Sequence, residues 1–420
     1  MRKGIATFTL DTGTCPRWLF ERMVRLGRSM IEIVVDEYGP DEFVLRIADP
    51  VWFQSLGTVL AFDWNASGLT TILTAALKEA IRGQEKDLGI FICGGKGKTS
   101  RKTPDEILMW GERLNLSSGK TNQLAHSSKM AAKVDSSLVQ DGYQIYHHSF
   151  IFTRSGSWAV IQQGMNTTSQ TARRYHWHED SMSSWRHAQR DDRISLKKDS
   201  IASLQNDKKK QFSFVNEPHS GIASQAFQNK MLNLIAQESL KTRTVSTELT
   251  NAGYQSVIKD IQILRKHSSK LSRMISLQTA SDAADSKRSE QLTLLELDDT
   301  EFYSHPVISE DFTKSKYLEK ILQRVTYQKP ESYEQLVAMQ GVGPKTIRAL
   351  ALVSEIIYGA KPSYEDPARY SFAHGGKDAT PYPVDKKTYD RTIEMLATAV
   401  RKMKGNPIDK DKALHRLLKS

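Results

Sequence analysis

The 420-residue sequence predicts an α+β protein, with a mixed α/β N-terminal domain followed by a mainly helical C-terminal region. Three observations carry that expectation. Two runs rich in Tyr, Ile, Phe and Val flank "RSGS" in YQIYHHSFIFTRSGSWAVIQQG, residues 143 to 164, the pattern of a β-hairpin. On both sides of it, apolar residues recur at every third or fourth position, the period of helices that bury one face. Hydrophobic residues make up 39% of the chain and charged residues 25%, a globular balance, and the length is enough for two or three domains.

The elements follow in order. CPRWLFERMVRLGRSMIEIVVDEYG places Trp18, Leu19, Met23, Leu26 and Met30 at near-helical spacing behind a proline, so an amphipathic helix with a basic outer face is expected. DPVWFQSLGTVLAFDW is apolar and aromatic. Residues 55 to 77 read as a buried strand, a turn and a helix, because Asp63, Asn65, two glycines and several hydroxyls do not suit a membrane span. SGLTTILTAALKEAIRG opens on Ser-Gly and closes on glycine, like a capped helix. LGIFIC is a short buried strand running into GGKGKTSRKTPDEI, whose glycines free the backbone and whose Lys96, Lys98, Arg101 and Lys102 can surround an anion.

The stretch from 181 to 211 is polar, serine-rich and lysine-ended, and reads as a connector. Beyond residue 220 the pattern is helical, through SQAFQNKMLNLIAQESL and YQSVIKDIQILRKHSSKLSRMISL, with QTASDAADSKRSEQ as a solvated interruption. KSKYLEKILQRV, SYEQLVAM, KTIRALALVSEIIYG and KKTYDRTIEMLATAVRKM complete the helical part. The expected organisation is a mixed domain over 1–180, the connector over 181–211, a helical region over 212–300 and a second helical domain over 301–420.

Lys and Arg number 59 against 48 acids, a formal net charge of +11, which favours a polyanionic partner. Cys15 and Cys93 form no CxxC pair, so neither a disulfide framework nor a cysteine-ligated cluster can be built. A reducing, cytoplasmic setting without membrane contact is expected. The opening MRKGIATFTLDTGT breaks into Thr, Asp and Gly before a signal-peptide apolar run can form.

In SYEQLVAMQGVGPKTIRALALVSEIIYG, residues 331 to 358, a short helix meets a glycine turn and a second helix starts at Pro344, where proline loses no useful hydrogen bond. The amides at such a helix start favour an anion. This pattern resembles the helix-hairpin-helix of DNA repair and recombination proteins, which implies that Gly341, Val342, Gly343, Lys345 and Thr346 hold a nucleic-acid backbone without reading bases. An ordinary helical turn with a glycine cap is the plainer alternative. Glycosylases of that class carry a hairpin lysine nucleophile and a downstream aspartate, for which Lys345 and Asp385 are the counterparts. The separation here is much longer, and the cluster cysteines often found in that class are absent.

Between residues 133 and 219, Asp135, Asp141, His147, His148, Gln162, Gln163, His176, His178, Glu179 and His219 supply oxygen and imidazole donors. On a strand, His147 and His148 face opposite ways, while His176 and His178 share a face. Asp135, Asp141, His147, His148 and His176 are the expected ligands of magnesium, manganese or zinc, with Asp141, His147, His148 and His176 catalytic. Arg173 and Arg174, with Lys96, Lys98 and Arg101, are expected to engage phosphates. For any one of these residues, a hydrogen-bonded structural role is the simpler reading.

PRWLFERMV, DPVWFQSLG, FDWNASGLTT, GGKGKTSRKTPDEI, KMAAKVD, QDGYQIYHH, WAVIQQGMN, ARRYHWH and NEPHSGI together resemble an uncharacterised archaeal and bacterial family, domain of unknown function 763. The family pattern has histidine where Asn65 stands. The resemblance implies a mixed N-terminal domain joined to a helical, hairpin-bearing part that acts on nucleic acid. The expected function is therefore a metal-dependent nuclease on DNA, with RNA as the other substrate. A glycosylase or lyase, and a non-enzymatic binding module, are the alternatives.

Overall fold

The structure is a computed structural model, and it describes residues 8–10, 14–60, 65–179, 213–216, 219–225, 228, 230–264, 316–368, 386–402 and 406–419. The connector expected over 181–211, the interruption at 278–291 and Asp385 lie outside the described residues. The chain forms two compact units, one of Met1–Ser136, Asp141–Met231 and Asp366–Ser420, the other of Ser137–Gln140 and Leu232–Glu365. Residues after 366 thus join the sheet-bearing unit, whereas the sequence placed them with the glycine turn.

In the first unit α1 spans Arg17–Tyr38 and buries Met23, Gly27, Met30, Ile31 and Val34. Of the expected stripe, Met23 and Met30 are buried and Leu19 and Leu26 half-buried, whereas Trp18, in the first turn, is exposed. α2 spans Pro40–Ile47 and α3 spans Pro50–Val59. The strand expected from residue 55 is the end of α3. Asp49 fixes that outcome, because its side chain accepts from the amides of Val51 at 2.7 Å and Trp52 at 3.1 Å, and Pro50 is preorganised for a first helical turn. α4 spans Ala66–Ala80 and is capped by Asn65, which accepts from the Ser67 amide at 3.0 Å. α5 (Glu85–Leu88) precedes β1 (Ile90–Lys96), and a 3₁₀ turn over Gly97–Lys102 leads into α6 (Thr103–Arg113) and α7 (Ser118–Ser137).

After β2 (Val139–Gln140), the strands β3 (Gln144–Thr153), β4 (Trp158–Asn166), β5 (Thr171–His178) and β6 (His219–Ser224) complete an antiparallel sheet ordered β1-β3-β4-β5-β6. The β3/β4 hairpin turns at the predicted place. β4 and β5 are almost wholly buried, because helices cover both faces of the sheet. One face meets the apolar core of α1 to α4, into which Ile92, Ile151 and Ile161 point. On the other, Trp158 stacks on Phe150 and Phe214.

The second unit pairs β2 with β7 (Leu232–Asn233), then continues as α8 (Leu240–Asn251), a helix α9 over 254–264, α10 (Lys316–Gln328), α11 (Tyr333–Ala338) and α12 (Pro344–Ile356). The helix expected over 224–240 does not form among the described residues of that stretch. β6 hydrogen-bonds to β5, and the Asn233 amide donates to Ser363 O at 2.9 Å, so these backbones satisfy remote partners in place of their own i−4 carbonyls. α13 (Lys386–Lys402) and α14 (Pro407–Lys419) return to the first unit, where Met395, Leu396 and Val400 join its core. Among the described residues, no helix is long and apolar enough to cross a membrane.

Candidate functional site

The glycine turn of the second unit is built from local chemistry. Ser332 caps α11 by accepting from the Gln335 amide at 3.2 Å, and Met339 leaves the helix in extended conformation. The chain then closes through the Val342 amide, which donates to Met339 O at 3.3 Å. Gly341 has φ 89°, a left-handed conformation that suits glycine, and a β-carbon there would lie 2.3 Å from Ile321 Cδ1 on α10. Gly343 differs. It is the extended N-cap of α12, and no atom lies within 4 Å of the position a β-carbon would take.

Pro344 follows as the first helical residue, with Lys345 exposed and Thr346 buried. The amides of Lys345 and Thr346 belong to the first turn, where no intrahelical carbonyl reaches them, and Gly343 offers no capping side chain. Val342 is buried beneath the turn. Arg324 of α10 braces the entry by donating to Gln340 O at 3.1 Å, and Gln140 donates to Pro344 O at 3.1 Å. The result is a fixed turn whose outer edge presents backbone and one lysine.

The histidine-rich sequence of the first unit sorts onto two sides of the sheet. His148, Gln162, Tyr175 and Trp177 face α7. The Gln162 amide donates to Ala131 O at 3.0 Å and to Asp135, which turns its carbonyl to His148 Nδ1 at 2.7 Å. His148 therefore carries its proton on Nδ1, and its Nε2 accepts from the Ser128 hydroxyl at 2.8 Å. Asp135 also accepts from Trp177 Nε1 at 2.9 Å and from His219 Nε2. Asp141 accepts from Tyr175 Oη at 2.7 Å and from Arg173 at 3.1 Å, and Arg173 makes a two-point pair with Asp366 at 2.9 and 2.7 Å. Burial lifts the Asp141 carboxyl to about 6, against the pull of Arg173, Tyr175 and the Tyr143 amide.

His147, Gln163, Arg174 and His176 face α3 and α4. His147, Gln163 and Arg174 sit opposite one another on β3, β4 and β5, in one row across the sheet. Thr74 meets His147 Nε2 at 3.1 Å, Gln163 donates to Ser67 O at 3.0 Å, and Arg174 donates to Thr70 at 3.2 Å and Gln54 at 3.3 Å while its guanidinium lies 4.5 Å from the Phe53 ring. Phe53 also packs edge-on against His176. Burial drives His147 down to about 3, helped by His148 and Lys96, and drives His176 well below its usual range, so both rings are neutral.

The five expected metal ligands consequently do not meet. Asp135, Asp141 and His148 lie on one side of the sheet, His147 and His176 on the other, and each carboxylate accepts three hydrogen bonds from protein donors. Among the described residues no group of three or more His, Cys, Asp or Glu side chains is placed to hold a metal. Arg173 and Arg174, expected at phosphates, are fully buried structural cations.

The basic loop is open to solvent. Glu106 anchors it by accepting from the Gly94 amide at 2.9 Å and from Lys78 at 2.6 Å, and Gly94 has φ 87° beside the backbone of His148. From this base Lys96, Lys98, Arg101 and Lys102 project exposed, with the Lys96 ammonium 6.0 Å from the Tyr146 ring.

Asp366 is the residue that sequence reasoning missed, and Gln162 and His219, named there only as donors, turn out to bind Asp135. Each lies far along the chain from what it binds, and only tertiary packing brings them together.

Residues 4–213 and 202–384 match the family model described as "Protein of unknown function (DUF763)". No curated protein and no solved structure matches the chain.

Proposed function

The chain belongs to that family, and from this premise we propose that it is a nucleic-acid-binding protein that grips the sugar–phosphate backbone at the turn of residues 341–346. The observation that carries the reading is Gly343. A helix of 13 residues begins there with no capping side chain, with open space where a β-carbon would stand and with Lys345 exposed beside it. A phosphate oxygen satisfies first-turn amides and meets the positive end of the helix dipole, and the lysine adds charge. The same pattern is the one that resembles a helix-hairpin-helix. The formal charge of +11 and the exposed Lys96, Lys98, Arg101 and Lys102 suit the same polyanion.

The test is binding of labelled duplex DNA, single-stranded DNA and RNA across a salt series. DNA is the expected partner, with RNA as the second arm. Absence of salt-sensitive binding to any of the three removes the reading.

Phosphodiester hydrolysis with magnesium, manganese or zinc is the second reading; the exposed cations at the end of β1 would serve it by holding phosphate, while among the described residues Asp135, Asp141, His147, His148 and His176 do not come together as metal ligands. Incubating the same substrates with each metal tests it, and uncut strands throughout refute it. The lyase alternative finds less support. A nucleophilic amine needs a desolvated setting, and Lys345 stands in water. Borohydride trapping on an abasic duplex checks that alternative.

A further inference from the structure

We infer that the outer face of the first half of α1 is a binding surface for single-stranded nucleic acid, in which Trp18 stacks on a base while Arg22 and Arg25 meet the flanking phosphates. The inference rests on the nucleic-acid reading above but uses a different surface, in the unit that does not contain the glycine turn.

Trp18 is 59% exposed, whereas Trp52, Trp158 and Trp177 are buried and Trp110 is half-buried, so among the described tryptophans it alone stands in solvent. Leaving so large an apolar ring in water forgoes the burial that the others gain. Its surroundings are charged. The Arg22 guanidinium lies 5.3 Å from the indole centroid, and it is tied down by donating to Trp18 O at 3.0 Å. Arg22 therefore covers part of the ring at fixed geometry, leaving the rest of the ring open.

Trp18, Arg22 and Arg25 share one stripe of the helix, spaced by four and three residues, and all three are exposed. At a rise of about 1.5 Å per residue, the stripe spans about 10 Å, room for a base and its neighbouring phosphates. Arg17 stands beside it, paired to Glu21 at 2.8 Å in open solvent, where such a pair yields readily to a polyanion.

A stretch with four arginines, Arg17, Arg22, Arg25 and Arg28, and one acid, Glu21, calls for a polyanion. The aromatic ring narrows the choice. Duplex bases are already stacked, so only an unpaired base can lie on the indole. An anionic membrane fits less well, because the apolar stripe of α1 is sealed into the core through Met23, Met30, Ile31 and Val34, leaving one ring and too little apolar surface to insert.

The test uses the full chain and fluorescence anisotropy with a labelled oligothymidylate and a labelled duplex. Trp18→Ala is expected to weaken oligothymidylate binding about five- to 150-fold, the range for loss of one base–aromatic stack, with little change for duplex. Trp18→Phe should keep most of the affinity. Joint replacement Arg22→Ala and Arg25→Ala should reduce the salt dependence of single-strand binding by about 1.4 in log–log slope, about 0.7 for each phosphate that is no longer neutralised. Thermal unfolding confirms that these exposed substitutions leave the fold intact.

The inference is overturned if Trp18→Ala leaves oligothymidylate affinity within about twofold, if duplex binding falls equally, or if Trp18 instead governs binding to phosphatidylserine vesicles. Gly343→Ala separates the two readings. If it weakens nucleic-acid binding and Trp18→Ala does not, the glycine-turn reading stands and the α1 surface falls. If the unaltered protein binds no nucleic acid, both fall.

Discussion

The two glycines of the turn stand two residues apart and should respond to alanine in opposite ways. At Gly341, alanine must hold φ 89° and bring its β-carbon 2.3 Å from Ile321 Cδ1, so the buried isoleucine has to move. Left-handed backbone costs a non-glycine residue about 1–2 kcal/mol, and overpacking adds about 1–3 kcal/mol. Gly341→Ala is therefore expected to destabilise the second unit by about 2–5 kcal/mol. At Gly343, φ is −149° and ψ −171°, extended values open to any residue, and the new methyl meets nothing in the protein. Its cost is limited to the poorer N-cap, at most about 1 kcal/mol.

The added methyl at Gly343 instead occupies the space a nucleic-acid backbone would fill. Gly343→Ala should weaken binding about tenfold, or about 1.4 kcal/mol, in an anisotropy titration at fixed salt. Urea unfolding of both variants supplies the stabilities. The reasoning is refuted if Gly343→Ala binds as the unaltered protein does, or if its binding loss is matched by an equal loss of stability.

Further outcomes follow from the same geometry. Lys345→Ala should lower the salt slope of duplex binding by about 0.9, the value of one phosphate contact, without moving the urea midpoint; an unchanged slope removes Lys345 from the interface. Asp135→Ala strips the acceptor from Gln162, Trp177 and His219 in the buried network and should cost about 3 kcal/mol or more in urea unfolding; near-native stability would show that these donors do not depend on it. Burial lowers His147 to about 3 and His178 to about 4, and holds His148 and His176 down as well. Because the unfolded rings titrate near 6.5, the unfolded chain binds more protons below that value. The stabilising contribution is thus complete above pH 6.5 and is lost as pH falls, by up to about 1.4 kcal/mol per pH unit for each histidine. A urea midpoint that stays level from pH 7 to pH 4.5 would contradict the neutral, buried state of these rings.

Short-range chemistry made part of this molecule legible before any fold was known. The stripe of α1, the β3/β4 hairpin about its Ser-Gly turn and the helix start at Pro344 all answer to neighbours within a few residues, through period, glycine freedom or proline geometry. The opposite facing of His147 and His148 follows from the pleat alone. Whatever needed a partner distant in the chain was settled by packing instead. Asp135 is bound by His219, and Arg173 by Asp366, across separations that no local pattern encodes. Residues that read as a gathering of metal donors are divided by the sheet they share, because a strand sends alternate side chains to opposite faces and each face finds its own helix. Residues 232–233, within a stretch helical by its local pattern, became a strand since β2 offered open backbone groups to them. At the glycine turn, the sequence showed where the chain bends, and only the packing of Ile321 against Gly341, with open space beside Gly343, distinguished the glycine that shapes the turn from the one that faces outward.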